Sequence, residues 1–335
     1  MSARHVPLRP VTVGRPAVAV GRPALAAAIA AAALLALVGC SDAAPSGGDA
    51  APGDTSTSSE ATDGDATDPS ATPSTPTASQ EPSWELVFAD EFDGPAGDPP
   101  DARWWTAEVG GDGWGNQELQ YYTDDPATAA LDGEGHLVIT AAEGPEDGPW
   151  CWYGRCEYVS ARLSTQGKVE AEYGRIEVRA QLPVGEGMWP AFWMLGADLD
   201  LRGWPGAGEI DVMEHIGREP DLVHGTVHGP TYSGADGIGG SYRFTDSLPS
   251  EGFHTYAVEW EPDRIRWYVD DAHYGTLLPS LLPDPDRWVF DGPFFLLLNL
   301  AVGGRWPGPP DEETTFPQQF TIDHVRVYRE GTTGE

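Results

Sequence analysis

Lysine is all but missing from this chain of 335 residues. Lys168 is the only one, and 19 basic residues face 53 acids, for a formal net charge of −34. Phosphate backbones are held by clustered Lys and Arg, so nucleic acid is excluded as a partner. The acidity reads equally well as a solubility device or as a trait of the host's habitat. Cysteine is scarce too, with only Cys40, Cys151 and Cys156. Few stretches repeat at helical period for three turns, which argues against a helical bundle, and no internal repeat is visible. What the chain has in quantity is 41 Gly, 31 Pro, 13 Trp and 11 Tyr, a mixture suited to many strands and turns.

The one long apolar run, Ala24 to Val38, is short for a membrane span and follows Arg4, Arg9, Arg15 and Arg22 with no acid between them. That order predicts a signal peptide. Its end, Leu37-Val38-Gly39-Cys40, resembles the bacterial lipoprotein signal box, which implies lipidation of Cys40. An uncleaved anchor is the alternative. Either way the remainder is expected outside the cytoplasm, lipid-anchored at the outer face of the cell membrane or secreted. Residues 41–83 carry neither aromatic nor basic residues and are expected to form a disordered Ser/Thr/Asp/Pro-rich tether. The globular part, 84–335, then bears about −30. If Cys40 is lipidated, Cys151 and Cys156 in PWCWYGRCEY remain as a pair, and in an oxidising compartment a small disulfide loop is the favoured reading. A metal site lacks further Cys or His at suitable spacing. Two free thiols stay open as an alternative.

From Trp84 onward, apolar alternation is bounded by Gly, Pro, Asp and Asn. Examples are HLVITAA (136–142), GKVEAEYGRIEVRAQL (167–182) and RIRWYVDDAHYG (264–275). FFLLLNLAVGG (294–304) reads as a strand buried on both faces, and FTIDHVRVY (320–328) as a closing strand. Many strands without βαβ alternation predict one all-β domain, a two-sheet antiparallel sandwich.

Within it stands GEIDVMEHIG (208–217), with Glu209, Asp211 and Glu214 among Ile, Val and Met. Strict alternation puts Glu209 and Asp211 on one face and Glu214 on the other. A β-bulge at Val212-Met213 returns Glu214 to the side of its partners. Desolvated carboxyls at close quarters raise one another's pKa, which is poor packing but useful chemistry. Retaining glycoside hydrolysis needs such a set: one carboxylate attacks the anomeric carbon and a second, protonated, serves the leaving oxygen. The two carboxyl groups then lie about 5–5.5 Å apart. Four steps of flat strand span roughly 13 Å, so the strand must curve and the long Glu side chains lean together. A metal cluster or a solvated acidic face are the competing readings.

The stretch G-E-I-D-V-M-E resembles the signature of glycoside hydrolase family 16 in its bulged, laminarinase-like form. GWGNQELQYYT (113–123), YGRIEVRAQLP (173–183), GMWPAFWMLG (187–196), HGTVHGP (224–230) and LNLAVGGRWPG (298–308) are similar to the family in its own order. The resemblance implies a concanavalin A-like β-jelly roll with a concave, open-ended cleft, hence attack within chains. It implies Glu209 as nucleophile, Asp211 as assisting acid and Glu214 as acid/base, with no cofactor for catalysis. By the same resemblance Trp189 and Trp193 line the subsites beside the cut, Trp114, Asn116, Arg175 and Trp306 lie further toward the glycone side, and His228 stands close to the acid/base. A pyranose has an apolar face that an aromatic ring covers, and a guanidinium fork suits sugar hydroxyls. His215 reads as structural. A structural calcium is implied at Glu91, the backbone near Gly135, and Asp323, whose oxygens suit that ion. Arg305 departs from the smaller polar residue common at its position.

The expected partner is a β-glucan, and a monomer is expected. The leading reading is an endo-β-1,3-glucanase. The same mechanism acting on mixed-linkage glucan or a galactan is the alternative, and a non-catalytic surface glycan receptor is the alternative of another class.

Overall fold

The structure is a computed structural model that describes residues 83–331. Cys40 and the predicted signal and tether segments, apart from Ser83, lie outside the described residues. Two largely antiparallel sheets face each other, as the alternation predicts, with one parallel pair, Gln120–Tyr122 beside Tyr158–Ser160. The first, here the cleft sheet, runs in the order Ile238–Arg243, Leu222–His228, Glu209–Glu214, Met188–Gly196, Phe294–Val302, Arg162–Ser164, Thr106–Ala107. The second, the back sheet, runs Ala272–Leu277, Arg264–Val269, His254–Glu261, Gly174–Gln181, Gln318–Glu330, Leu137–Glu143, Tyr158–Ser160, Gln120–Tyr122. Trp84–Asp90 pairs with Gln318–Glu330 beside this path.

Side-chain period two sorts the Met188–Gly196 strand cleanly. Met188, Phe192 and Met194 are fully buried between the sheets, while Trp189, Ala191, Trp193 and Leu195 face the cleft. Ile210, Val212 and Met213 of the neighbouring strand join the same core as Ile176, Val178, Trp260 and Val325 of the back sheet. Phe294–Val302 is buried at every position, as its apolar run, broken only by Asn299, predicts. It sits centrally in its sheet, with Leu296, Leu298 and Leu300 in the main core and Phe295 and Leu297 under the cleft face.

Two stretches are subdivided more finely than their sequence pattern suggests. Gly167 to Leu182 holds two strands in different sheets, Glu170–Ala171 in the cleft sheet and Gly174–Gln181 in the back sheet. The crossing occurs at Tyr173 and Gly174, with φ of 61° and 109°. A Cβ on Gly174 would lie 2.0 Å from the Tyr328 carbonyl oxygen, so only glycine allows the strands this approach. Arg264 to Gly275 is a hairpin that turns at Asp270 and Asp271, Asp270 having φ of 52°.

Candidate active site

The bulge forms where the acids require it. Trp193 pairs with Asp211 and Phe192 with Met213, so Val212 is the extra residue against Met188–Gly196. On the other side, Asp211 pairs with Thr226 and Glu214 with His224, leaving both Val212 and Met213 opposite Gly225. Val212 and Met213 point together into the core, and Glu214 returns to the face of Glu209 and Asp211. Gly225 leaves room for Trp267, whose indole donates to the Asp211 carbonyl at 2.9 Å and ties the bulged strand to the back sheet.

Each carboxyl has its own holder. The Trp204 indole donates to Glu209 Oε2 at 3.0 Å, and the Trp189 indole donates to Glu214 Oε1 at 3.0 Å. His228 Nε2 lies 3.2 Å from Asp211 Oδ2 and 3.6 Å from Glu209 Oε1. Burial pushes Glu209 up to about 8, Asp211 adding to the rise while His228 works against it. Burial and then Asp211 likewise push Glu214 up to about 8, and burial alone raises Asp211 well above the ordinary range. The trio titrates as a unit, and not all three can be charged at neutral pH. Asp211, 2 % exposed and central, is held in its neutral form by burial. Both glutamates are raised alike, and a neutral Glu214 is competent as an acid. His215, just beyond the strand, donates from Nδ1 to the Leu222 carbonyl at 2.7 Å, and burial lowers it to about 4. It is a structural, neutral imidazole.

The acids line a cleft of about 800 Å³ whose walls carry Trp114, Trp189, Trp193, Trp204 and Trp306. Trp189 and Trp306 meet edge to face at 5.5 Å. Trp193 donates to Asn299 Oδ1 at 2.7 Å, and Asn299 Nδ2 donates to the Tyr122 hydroxyl at 3.2 Å. That hydroxyl, Gln120 and Asn116 all donate to Glu118, a carboxyl at the cleft wall whose pKa burial raises. The loop bearing these groups holds Trp114 and Gln117 at φ of 47° and 59°, at roughly 1–2 kcal/mol for each side chain so placed.

Of the residues expected here, Trp114, Asn116, Trp189, Trp193, Glu209, Asp211, Glu214, His228 and Trp306 all line the cleft, as does Arg305. Arg175 does not. It belongs to the back sheet, where it donates to Glu177 Oε2 at 2.8 Å, lies 3.6 Å from Glu259 and stacks over Tyr268. Alternation on Gly174–Gln181 sends Ile176 and Val178 to the core, so Arg175 faces away from it, on the side remote from the cleft. Besides Arg305 the cleft holds the guanidinium of Arg162, 4.7 Å from the Trp114 and Trp193 rings alike and paired with Glu108. Nothing in Ala161-Arg162-Leu163 distinguishes it in sequence from a surface arginine. Trp204, Glu118 and Asn299 also went unmarked. Trp204 precedes GEIDVME by only four residues, and Glu118 stands inside GWGNQELQYYT.

Cys151 and Cys156 form a disulfide. Glu91 and Asp323, expected around a calcium ion, hold arginines instead. Arg326 grips Glu91 with two hydrogen bonds of 2.8 Å, and Arg179 donates to Asp323 Oδ2 at 2.6 Å. Gly135 stands in a turn with φ of 93°. As placed, these carboxylates are already neutralised and do not fit a divalent cation.

A model of the glycosyl hydrolases family 16 matches residues 114–326. A β-glucanase of Rhodothermus marinus is 47% identical over 262 residues, covering 75% of this chain and 87% of that protein. The catalytic domain of an endo-1,3-β-glucanase (laminarinase) from Thermotoga petrophila superposes with a TM-score of 0.70 at 45% identity, over 75% of this chain and all of that one. An endo-β-1,3-glucanase from Pyrococcus furiosus gives 0.68 at 44%, over 73% and 94% of the two chains.

Proposed function

The chain belongs to glycosyl hydrolase family 16, and from that premise we propose that it cleaves β-1,3-glucan chains internally, with retention of configuration. The observation that carries the reading is the trio Glu209, Asp211 and Glu214, turned to one face by the bulge and set in a tryptophan-lined cleft. Glu209 attacks the anomeric carbon while Glu214 gives its proton to the leaving oxygen, so that a glycosyl ester and a shortened chain form. Glu214, now ionised, takes a proton from water, which displaces Glu209 and regenerates the site. Asp211, kept neutral, hydrogen-bonds an ionised Glu209 and lowers the charge the site must hold. No step needs a cofactor.

The test is release of reducing ends from laminarin and from mixed-linkage glucan by the wild type and by Glu209→Gln. Release from laminarin that falls at least about a thousandfold in the variant supports the reading. A folded wild type inert on both glucans overturns it and favours a galactan or the receptor alternative.

The proposal extends to the flanks: residues 1–40 as a lipoprotein-type signal, 41–83 as a tether, and a monomeric domain 84–335 held outside the cytoplasm through Cys40. Labelling with a tagged fatty acid that Cys40→Ala abolishes is the expected outcome. A structural calcium at Glu91, Gly135 and Asp323 would have to displace Arg326 and Arg179, so thermal melts with and without chelator are expected to coincide.

A further inference from the structure

Among the described strands, two have no place in either main sheet. Trp150–Cys151 and Gly154–Arg155 form a two-stranded ribbon of their own, closed by the Cys151–Cys156 disulfide. Too short to build a core, it directs its contacts at the neighbouring cleft loop. The Trp152 backbone N–H donates to the Gly111 carbonyl at 2.9 Å, and the Trp152 indole donates to the Glu118 carbonyl at 2.8 Å. The Tyr153 hydroxyl donates to the Leu119 carbonyl at 2.7 Å. Packing is as close as the bonding. A Cβ on Gly111 would lie 2.6 Å from Cys151 Sγ, and one on Gly113 would lie 2.9 Å from the Trp152 ring.

The loop receiving these contacts carries Trp114, Asn116 and Glu118 to the cleft wall, and holds two non-glycine residues in the left-handed region. A loop so strained keeps its shape only where its surroundings over-determine it. At its far end Leu119 N–H donates to the Val302 carbonyl at 2.8 Å in the cleft sheet. On its outer side the ribbon supplies the matching restraint.

We propose that Trp152 and the Cys151–Cys156 disulfide are positioning elements for substrate. They hold the Trp114–Glu118 loop in its binding conformation and set affinity for long chains at that end of the cleft, without touching the reaction itself. The inference rests on the glucanase reading. Loosening the ribbon leaves Glu209, Asp211 and Glu214 on their strand, so it raises KM and spares kcat. The disulfide closes a short loop, which keeps its own effect on global stability small.

The experiment measures kcat and KM of the full chain on laminarin, and on an aryl β-laminaribioside, which fills fewer subsites. Three forms are compared with the wild type: Trp152→Phe, which keeps a ring and loses the bond to Glu118; Cys151→Ser/Cys156→Ser; and wild type under reductant, with two additional thiols confirmed by titration. The expected result is a KM for laminarin raised about fivefold or more, kcat within twofold, and a smaller rise in KM for the aryl substrate. Binding of laminarihexaose to Glu214→Gln, followed by tryptophan fluorescence, should weaken on reduction by the same factor. If the cysteine variant fails to fold, Trp152→Phe and the reduced wild type decide. An unchanged KM in both overturns the proposal, as does a fall in kcat at constant KM. Cleavage with hairpin-independent KM leaves the glucanase reading standing, whereas absence of cleavage by the wild type sinks both.

Discussion

Glu209, Glu214 and Asp211 are individually destabilising, and the sign of that effect can be worked out. Their folded pKa values lie above those of the unfolded chain, so between about 4.5 and about 8 the native state holds protons the unfolded state has released. Stability therefore falls as pH rises through that window. Glu214→Gln keeps the shape and removes the charge. We expect its Tm to exceed the wild type's, by more at pH 8.5 than at pH 5, in parallel melts. An increment independent of pH would contradict the burial account. Arg162 and Arg175 give a second contrast. Arg162→Lys, which loses the stacking between Trp114 and Trp193, should raise KM for laminarin about three- to tenfold with little effect on stability. Arg175→Ala should leave KM unchanged and lower stability by about 2 kcal/mol in denaturant titration, because the buried Glu177 loses its guanidinium and keeps only Tyr328 and His324 as partners. Motif position placed Arg175 in the cleft, while the two-residue period of its own strand places it behind the back sheet. Arg162 had no such motif to mark it, since its meaning comes from two tryptophans distant in sequence.

The bulged strand is the element on which function turns. Its existence was legible because three carboxyls cannot all share a face with Ile210 and Val212 in the core unless one residue is inserted. The pairing shows that residue to be Val212. Deleting Val212 leaves E-I-D-M-E, in which strict alternation alone keeps all three acids on one face, so the variant should lose the bulge and still cleave. Its Tm should fall, since a buried Val side chain leaves the core. Circular dichroism and reducing-end release on that variant check both effects, and a folded variant without activity would refute the alternation argument. Elements whose ends rest on glycine or left-handed geometry were harder to read. The change of sheet at Tyr173 and Gly174 depends on the approach of Tyr328 from the other end of the chain, which no local pattern encodes.

Across the whole molecule, the two-sheet sandwich was readable because its strands alternate and its central strand does not. Strand order was not, since neighbours such as Gly174–Gln181 and Gln318–Glu330 are far apart in the chain. The globular part's charge of about −30 acts at this scale. Self-repulsion of that size is screened by salt, and a neutral glucan gains nothing from steering. Raising NaCl from 20 mM to 500 mM should raise Tm by several degrees and leave KM for laminarin within about twofold. A KM that climbs with salt would point to a charged substrate instead.

The division of labour between Glu209 and Glu214 is the central claim, and chemical rescue by azide tests it most directly. In Glu209→Ala, azide can enter the space left by the nucleophile and attack an aryl β-laminaribioside from that face, giving the α-glycosyl azide. In Glu214→Ala, azide can open the glycosyl ester on Glu209 from the opposite face, giving the β-glycosyl azide. Proton NMR of the products should show α from the first variant and β from the second. The reverse pair, or β-azide from Glu209→Ala, would contradict the assignment.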